Sequence, residues 1–433
     1  MRTEFSPGQL ADPETAASEK AIRSCVHCGF CTATCPTYVL TGDELESPRG
    51  RIYLIKQMLE RGEAPGPETV RHIDTCLSCL SCTTTCPSGV DYMHLIDHGR
   101  SYVREHHRRP WRERLLRRVL AATLPYPRRM RVALGLARLA RPLAGPFGRV
   151  PALKPLAAML TLAGRRRASP PEAETPAVAE PKLKIALLRG CAEPALRPEI
   201  RAAAIRLLAR AGCAVVEIAG EGCCGALVHH MGETGAARDA ARRNVDAWTA
   251  AIERDGIDAV AVTVSGCGTM LKDYGHLLRE DPSYAEKAGR ISAMALDLSE
   301  LLVRLAPPLA APEPLVIAWH SPCSLQHGQQ IREAPRILLE AAGFTVCVPR
   351  EAHLCCGSAG TYNILQPDTA EALAQRKLGH LAALAPDAIV TSNIGCMMQL
   401  DRGQAPMLHL AELLDWASGG PRPAALASTG DRT

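Results

Sequence analysis

Eight of the 18 cysteines form two runs of identical spacing, which is the pattern by which thiolates hold iron–sulfur cubes. The runs are Cys25-x2-Cys28-x2-Cys31-x3-Cys35-Pro36 and Cys76-x2-Cys79-x2-Cys82-x3-Cys86-Pro87. Zinc knuckles are the alternative, but zinc takes two cysteine pairs on separated arms rather than four cysteines within eleven residues. The runs therefore predict two [4Fe-4S] clusters and a protein that moves electrons.

The fourth ligand of each cluster is expected to come from the opposite run. Three thiolates separated by two residues can wrap one face of a cube, and in two-cluster proteins the last cysteine of each run ligates the other cube. One cube is therefore assigned to Cys25, Cys28, Cys31 and Cys86, and the second to Cys76, Cys79, Cys82 and Cys35. Pro36 and Pro87 turn the chain away just after each crossing ligand, because proline fixes φ and lacks a backbone donor.

Length and composition set the cellular context. The chain has 433 residues and 47% hydrophobic content, which is enough for two or three domains. Its start is polar and acidic, and no apolar run is long enough for a signal core or a membrane span, so a cytoplasmic location is expected. Aromatic residues make up only 4%, which argues against a nucleic-acid binder.

A strongly basic segment lies in the middle of the chain. Residues 100–167 hold 18 Arg or Lys against Glu105 and Glu113, although the whole chain carries only +5. Such a segment could dock an acidic protein or the anionic inner face of the cytoplasmic membrane, and a solvated basic connector is the alternative. Residues 165–181 are rich in Pro, Ala and Glu and indicate a linker.

Beyond this linker the chain repeats itself. In both copies 32 positions separate a single cysteine from a Cys-Cys-Gly triplet, and a Gly-Cys pair follows about 40 positions later. The first quartet is Cys191, Cys223, Cys224 and Cys267; the second is Cys323, Cys355, Cys356 and Cys396. A duplication of this kind decides architecture more firmly than local propensity does.

The repeats are predicted to be α/β domains with parallel sheets. Each copy alternates short apolar runs with helical patterns, and the motif cysteines follow strands, which places them at the carboxyl edge of a sheet. The predicted fold is an α-helical two-cluster ferredoxin-like module followed by two such domains. The predicted ranges are 1–105 for the module, 106–181 for the basic segment and linker, 182–310 for the first repeat and 311–420 for the second.

The role of the repeat quartets stays open at this stage. Thiolates favour a further iron–sulfur or other metal centre, with zinc or a thiol/disulfide role as alternatives, and the cysteines could also merely pack. Gly225 and Gly357 would let the backbone turn tightly after each doublet. The remaining cysteines, Cys213 and Cys347, lie in apolar runs and are expected in the core.

Several charged residues near the motifs could tune the sites. Arg49 and Arg51 follow the first run and could raise a cluster potential, or form an ordinary surface pair. Five histidines lie near the repeat motifs and could carry protons, or could be hydrogen-bonded structural residues: His229, His230, His320, His327 and His353. No nucleotide-binding glycine motif is present, so the two-electron donor is expected on another subunit, most simply a flavoprotein.

Over nearly its whole length the chain resembles the iron–sulfur subunits of bacterial glycolate oxidases. The resemblance is carried by VHCGFCTATCPTYVLTGDELESPRGRIYLIKQ, CPSGVDY, GCCGALVHH, SGCGTMLKDYG, HLCCGSAGTYNILQPD and SNIGCMMQL. The Cys-Cys-Gly repeats alone also resemble those of heterodisulfide reductases, anaerobic glycerol-3-phosphate dehydrogenases and lactate-utilisation proteins. One departure is that heterodisulfide reductases end the motif in Cys-x2-Cys, whereas Met270 and Gln399 stand at that position here.

The resemblance implies an electron-transfer subunit with no catalytic residue of its own. FAD-binding partner subunits would oxidise glycolate to glyoxylate, and this chain would pass the electrons to a quinone or another membrane acceptor. All eight cysteines of the two runs match the family's cluster ligands. D-lactate and glycerol-3-phosphate are the alternative substrates, because related complexes oxidise them. A thiol reductase and a zinc scaffold are alternative functions of a different class.

Overall fold

The computed structural model describes residues 1–163 and 178–427. Most of the predicted linker, including Arg165 to Arg167 of the basic segment, lies outside the described residues. None of the described helices is long and apolar enough to cross a lipid bilayer.

The first 106 residues are helical. The helices are α1 (Pro7–Leu10), α2 (Pro13–Ser24), α3 (Pro36–Thr41), α4 (Pro48–Arg61), α5 (Pro67–Asp74), α6 (Ser81–Thr85) and α7 (Tyr92–His106), with a 3₁₀ turn at Glu44–Glu46. Proline opens α2 to α5, where its missing N–H costs nothing, and the side chains of Asp12 and Ser47 cap two of these starts. These short helices leave loops in which the cysteines can converge.

Helix α4 carries buried apolar residues at the spacing of an amphipathic helix. Ile52, Ile55 and Leu59 are buried and pack with Ile96 of α7, so the apolar face of α4 forms the floor of the module. A Cβ on Gly99 of α7 would lie 3.1 Å from the Ile55 side chain of α4. Because glycine has no side chain, α7 can approach α4 closely at this point. The two cysteine runs therefore rest on a fixed helical base.

After the end of α7, the described part of the basic segment contains four helices: α8 (Trp111–Thr123), α9 (Pro127–Leu139), α10 (Ala144–Gly148) and α11 (Lys154–Ala163), with 3₁₀ turns at Arg141–Leu143 and Pro151–Leu153. Some arginines of the basic segment already bind acidic side chains or backbone oxygens. Arg109 and Arg117 both pair with Asp74 of α5, at 2.5 Å and 3.1 Å, and Arg100 donates to the carbonyl oxygen of Cys76. Part of the segment therefore holds the module together.

Each repeat is a four-stranded parallel sheet with helices. The first repeat contains β1 (Leu183–Leu187), α12 (Glu193–Leu196), α13 (Pro198–Arg210), β2 (Cys213–Val216), α14 (Ala226–His229), α15 (Thr234–Asp255), β3 (Ala259–Val262), α16 (Ser265–Lys272), α17 (Tyr274–Leu277), α18 (Ala285–Met294), β4 (Ala295–Asp297) and α19 (Leu298–Leu305). The second contains β5 (Val316–Trp319), a π-helical turn (Ser324–Gly328), α20 (Ala334–Ala341), β6 (Thr345–Cys347), α21 (Tyr362–Leu365), α22 (Pro367–Ala382), β7 (Ala388–Thr391), α23 (Ile394–Leu400), β8 (Met407–His409), α24 (Leu410–Ala417) and α25 (Ala424–Ala427).

The two sheets have the same topology. Their strand orders are β2-β1-β3-β4 and β6-β5-β7-β8, and every pair is parallel. Residues of both sheets, such as Ile185 and Ile317, lie in one continuous core. The predicted α/β repeats with parallel sheets are confirmed, whereas the predicted domain boundaries stay a prediction.

The two cysteines outside the motifs differ in environment. Cys213 is buried at the start of β2, as expected. Cys347 ends β6 and is only half-buried, so its assignment to the core is wrong. The apolar run around Cys347 reaches the edge of the sheet, where one side of the strand is open.

Candidate functional site

Two neighbouring clefts in the helical module are lined by the cysteines of the two runs. The first cleft is lined by Cys25, Cys28, Cys31, Cys82 and Cys86. The second is lined by Cys35, Cys76, Cys79 and Cys82. Each cleft thus contains three cysteines of one run and the last cysteine of the other, and Cys82 of the second run lines both clefts. This lining is what the crossed ligand assignment requires, and the assignment itself stays a prediction.

The chemistry of these thiols fits a metal cluster. Burial raises the pKa of Cys31 to about 11 and the pKa values of Cys79 and Cys82 well above the ordinary value. Buried thiols ionise when a bound cation supplies positive charge, and a coordinating thiol is deprotonated outright. The donor sets therefore suit iron, whose clusters are held by four thiolates each.

Arg51 lies directly behind the second cleft. Its guanidinium is buried, pairs with Glu46 at 2.5 Å, and lies 3.8 Å from the Sγ of Cys35. The Nδ1 of His72 donates to the other oxygen of Glu46, at 2.8 Å, which fixes that carboxylate. A buried positive charge beside a thiolate ligand stabilises the reduced, more negative cluster. The interpretation that an arginine raises the reduction potential of a cluster therefore fits Arg51.

Arg49 has a different position. It is partly exposed and pairs with Glu44 at 2.5 Å, and its Nη1 donates to the backbone of His27 in the first run. Hydrogen bonding to Glu44 raises its pKa, so it is a cation at the rim of the first cleft. The two arginines are thus not a surface pair.

Sequence reasoning missed Glu46, His72 and Tyr92 near the clefts. The buried Tyr92 hydroxyl donates to the Sγ of Cys76 at 3.7 Å. Of these three residues, only Glu46 could have been found from the sequence, because it lies in the GDELESPRGR stretch shortly after the first cysteine run. The contacts of His72 and Tyr92 arise from the way α5 and α7 pack on α4, which single-sequence patterns do not show.

In the first repeat the structure brings the four motif thiols together. The Sγ atoms of Cys191 and Cys223 are 3.5 Å apart, and those of Cys224 and Cys267 are 3.3 Å apart. The second repeat reproduces this arrangement. Cys323 and Cys355 are separated by 3.8 Å, and Cys356 and Cys396 by 3.5 Å. The segments that follow β1, β2 and β3, and β5, β6 and β7, place these cysteines at one edge of each sheet, with Cys267 in α16 and Cys396 in α23.

The first cysteine of each doublet has thiolate character. Hydrogen bonds from Cys191 and Cys224 lower the pKa of Cys223 to about 4. Hydrogen bonds from Cys323 and Cys356 lower the pKa of Cys355 well below its ordinary value. The thiolate is the form that ligates metals.

The glycine after each doublet has the predicted role. Gly225 and Gly357 adopt φ of +92° and +88°, and their N–H groups each donate to the doublet's first sulfur at 3.4 Å. A Cβ at position 357 would lie 2.6 Å from the carbonyl oxygen of Ala370. A side chain would therefore clash as well as strain the backbone.

The second repeat's quartet lies beside the second cleft. Cys79 packs in one buried cluster with Cys355, and Cys323 packs against that cluster. The hydroxyl of Tyr362 donates to the carbonyl oxygen of Thr75 at 3.1 Å across the same contact. Thiols of the module and of the second repeat therefore form one continuous buried region.

The motif edges of the two repeats also meet. Ser265, two residues before Cys267, lies 2.7 Å from Ser324, the residue after Cys323. Asn393 donates to the Ser265 hydroxyl at 2.9 Å. Short polar contacts therefore hold the two quartets on facing surfaces.

The five histidines separate into distinct environments. His229 lies 3.2 Å from Asp97 of α7, and both ring nitrogens of His327 have hydrogen-bond partners, so these two are structural. His353 is partly exposed, and burial lowers the pKa of the buried His230 to about 4. His320 lies within 4.8 Å of the sulfurs of Cys356 and Cys396.

Known proteins share these features. Residues 21–90 match the 4Fe-4S dicluster domain, and residues 185–272 and 317–401 match the cysteine-rich CCG domain. The glycolate oxidase iron–sulfur subunit of Escherichia coli (strain K12) is 42% identical over 96% of this chain and 99% of its own length. The chain belongs to the glycolate oxidase iron–sulfur subunit family.

Two further relatives and one solved structure are also similar to this chain. The probable glycolate oxidase iron–sulfur subunit of Bacillus subtilis (strain 168) is 32% identical over 97% of this chain and 99% of its own length. Lactate utilization protein A of Geobacillus thermodenitrificans is 27% identical over 54% of this chain and 99% of its own. A hypothetical protein from Helicobacter pylori has a TM-score of 0.57 at 12% identity, covering 97% of this chain and 75% of its own, which shows the fold alone.

Proposed function

We propose that this chain is the electron-transfer subunit of a complex that oxidises glycolate to glyoxylate. FAD-binding partner subunits would carry the substrate chemistry, and a quinone or another membrane acceptor would receive the electrons. Support comes from the family membership and from the continuous thiol-lined region of the module and the second repeat.

The ligands proposed for two [4Fe-4S] clusters are the eight cysteines of the two runs in crossed sets, and the lining of the two clefts supports this assignment. Bound there, such clusters accept and donate single electrons. The chain's own contribution is to hold the thiols in place, to bury those of the second cleft and to place Arg51 and Tyr92 against Cys35 and Cys76.

The two repeat quartets are proposed to hold further metal. Their matched spacings and paired sulfurs argue that duplication preserved one three-dimensional site. Because the second quartet lies against Cys79, it is the one placed to exchange electrons with the module.

Anaerobic purification of the chain with its partner subunits tests this function. We expect at least about eight irons and eight sulfides per chain, flavin only on the partners, and glycolate-dependent reduction of a quinone analogue. About four irons or fewer would contradict the two-cluster proposal. Turnover of D-lactate in place of glycolate would change the substrate but not the role of this chain.

A substitution separates electron transfer from mere packing in the repeats. Cys356→Ser should keep the module's irons but abolish electron delivery to the acceptor, whereas Cys347→Ser, outside the quartet on β6, should be neutral. Full acceptor-linked activity in Cys356→Ser, with unchanged metal, would show that the quartet only packs. Disulfide turnover by the chain alone would instead favour a thiol reductase.

The surface of α8 and α9 is proposed to attach the complex to an anionic membrane. Trp111, Leu115 and Val119 are exposed along one side of α8, and Val132 and Leu136 are exposed on α9. Spacings of three and four residues place such side chains on one face of a helix. Arginines beside exposed tryptophan and leucine are typical of helices that lie in the membrane interface.

A further inference from the structure

His320 and Leu188 occupy equivalent positions in the two repeats. Each stands three residues before the first motif cysteine and directly after the first strand, β5 or β1. His320 N–H donates to the carbonyl oxygen of Val390, and Leu188 N–H donates to that of Ala261, both at 2.9 Å. The backbone hydrogen bond at this position is therefore the same in the two copies, and the side chain differs.

The imidazole of His320 has no hydrogen-bond partner for either ring nitrogen among the described residues, although the residue is 2% exposed. Leaving buried polar atoms unpaired destabilises a fold, so such atoms call for a partner. A metal atom bound by the second quartet could be that partner. A ring nitrogen of His320 and the sulfurs of Cys356 and Cys396 all lie within 4.8 Å of one another.

These distances suit ligands of one metal atom. Metal–sulfur bonds of about 2.3 Å in a tetrahedral site place two sulfurs about 3.8 Å apart, and those of Cys356 and Cys396 are 3.5 Å apart. With Cys323 and Cys355 the site offers five donors, one more than a tetrahedral zinc ion uses. A polynuclear iron centre can use all five.

We propose that His320 ligates an iron–sulfur centre in the second repeat, sharing a metal atom with Cys356 and Cys396, and that the first repeat has no such ligand. The inference rests on the proposed function, because it requires the second quartet to hold metal. It makes the two repeats chemically different.

Pulsed electron paramagnetic resonance on the full-length chain, reduced and prepared anaerobically, tests the ligand directly. The wild type should show hyperfine coupling to a histidine nitrogen, and labelling with ¹⁵N-histidine should change it. His320→Gln should lose this coupling and the second repeat's iron while keeping the module's irons. His327→Gln is the matched control, because its ring nitrogens already bond to Thr84 and to the carbonyl oxygen of His353.

The outcomes distinguish this inference from the proposed function. Iron beyond eight per chain, without any histidine coupling in the wild type, would overturn the ligation by His320 and leave the metal-bearing repeats standing. Eight irons and no further metal would overturn both the ligation by His320 and the metal-bearing repeats, and would leave the two clusters and the electron-transfer role standing. Zinc with a nitrogen neighbour at about 2.0 to 2.1 Å by X-ray absorption, lost in His320→Gln, would support His320 as a ligand and overturn the iron centre. The labelled wild type decides the matter even if the variant does not fold.

Discussion

Cys35 belongs by sequence to the first run but lines the second cleft, together with Cys76, Cys79 and Cys82. Cys35→Ser should therefore perturb the cluster whose other three ligands come from the second run. Resonance Raman and redox spectra of the reduced chain would show which cluster is altered. Cys86→Ser is the matched control, since it should alter the cluster of the first cleft instead. Damage in Cys35→Ser confined to that first cluster would refute the crossed assignment.

Tyr92 donates a hydrogen bond to the Sγ of Cys76, which stabilises the more negative reduced cluster. Tyr92→Phe keeps the ring in its buried site but removes this donor. One hydrogen bond is worth about 1 kcal/mol, so the potential of that cluster should fall by about 40 mV.

A redox titration of the isolated chain measures this shift, with Tyr53→Phe as the control. Tyr53 is on the same helical floor, in α4, but its side chain is exposed. An unchanged potential in Tyr92→Phe would mean that the hydroxyl does not interact with the cluster's sulfur.

At the scale of elements, the sequence predicted those whose signal is local. The helix over α4 and the first three strands of each repeat follow from periodicity and apolar runs, and all are present. The fourth strands, β4 and β8, were not predicted. Each has only three residues and lies between helices, so pairing with β3 or β7 defines it rather than any pattern of its own.

The residues of the candidate site also differ in how far the sequence alone predicts them. Cysteine spacing identified all sixteen motif thiols, because ligand chemistry imposes a fixed spacing along the chain. Arg51 and His320 could only be named as possibilities, since their roles depend on which atoms surround them after folding. The pairing of Arg51 with Glu46 and the unpartnered imidazole of His320 are properties of packing.

The contact between α7 and the first repeat should depend on pH. Although burial opposes its charge, hydrogen bonds to Asp273 and Asp91 raise the pKa of His94 to about 10, and His276 of α17 stacks on its ring at 3.4 Å. A pKa raised above the unfolded value of about 6.5 stabilises the fold fully below that pH. This stabilisation is lost as the pH rises toward 10.

Thermal unfolding of the wild type and of His94→Gln, compared from pH 6 to pH 10, measures the effect. The difference between them should be on the order of 1 to 2 kcal/mol at pH 6 and should shrink toward pH 10. His106→Gln is the control, because His106 stacks only on Tyr102 of its own helix and is exposed. A difference independent of pH would mean that His94 is neutral at this contact.

For the whole molecule, the +16 balance of residues 100–167 overstates the charge available for docking. Arg109 and Arg117 are committed to Asp74, and Arg104 pairs with Glu233 of the first repeat at 2.6 Å. The exposed arginines flank the apolar stripes of α8 and α9. Docking therefore depends on this smaller set rather than on the segment as a whole.

Replacing Arg112, Arg118, Arg128 and Arg131 by glutamine should weaken binding to vesicles of phosphatidylglycerol and phosphatidylcholine. All four are exposed on α8 and α9, and each contributes about 1 kcal/mol near an anionic surface at low salt. The affinity should thus fall by about three powers of ten, and wild-type binding should weaken with salt because exposed charges are screened over roughly 8 Å. Vesicle sedimentation with the intact complex measures both.

The control removes the same charge from elsewhere on the surface, at Arg189, Arg254, Arg332 and Arg336, all of which are exposed. If both quadruple variants lose affinity equally, net charge alone attracts the vesicles and α8 and α9 are not the docking surface. If the α8 and α9 variant keeps its affinity, these helices are a solvated connector. Loss of the partner subunits from that variant, with vesicle binding retained, would make the same surface a protein interface, because arginine and exposed apolar side chains serve that purpose equally well.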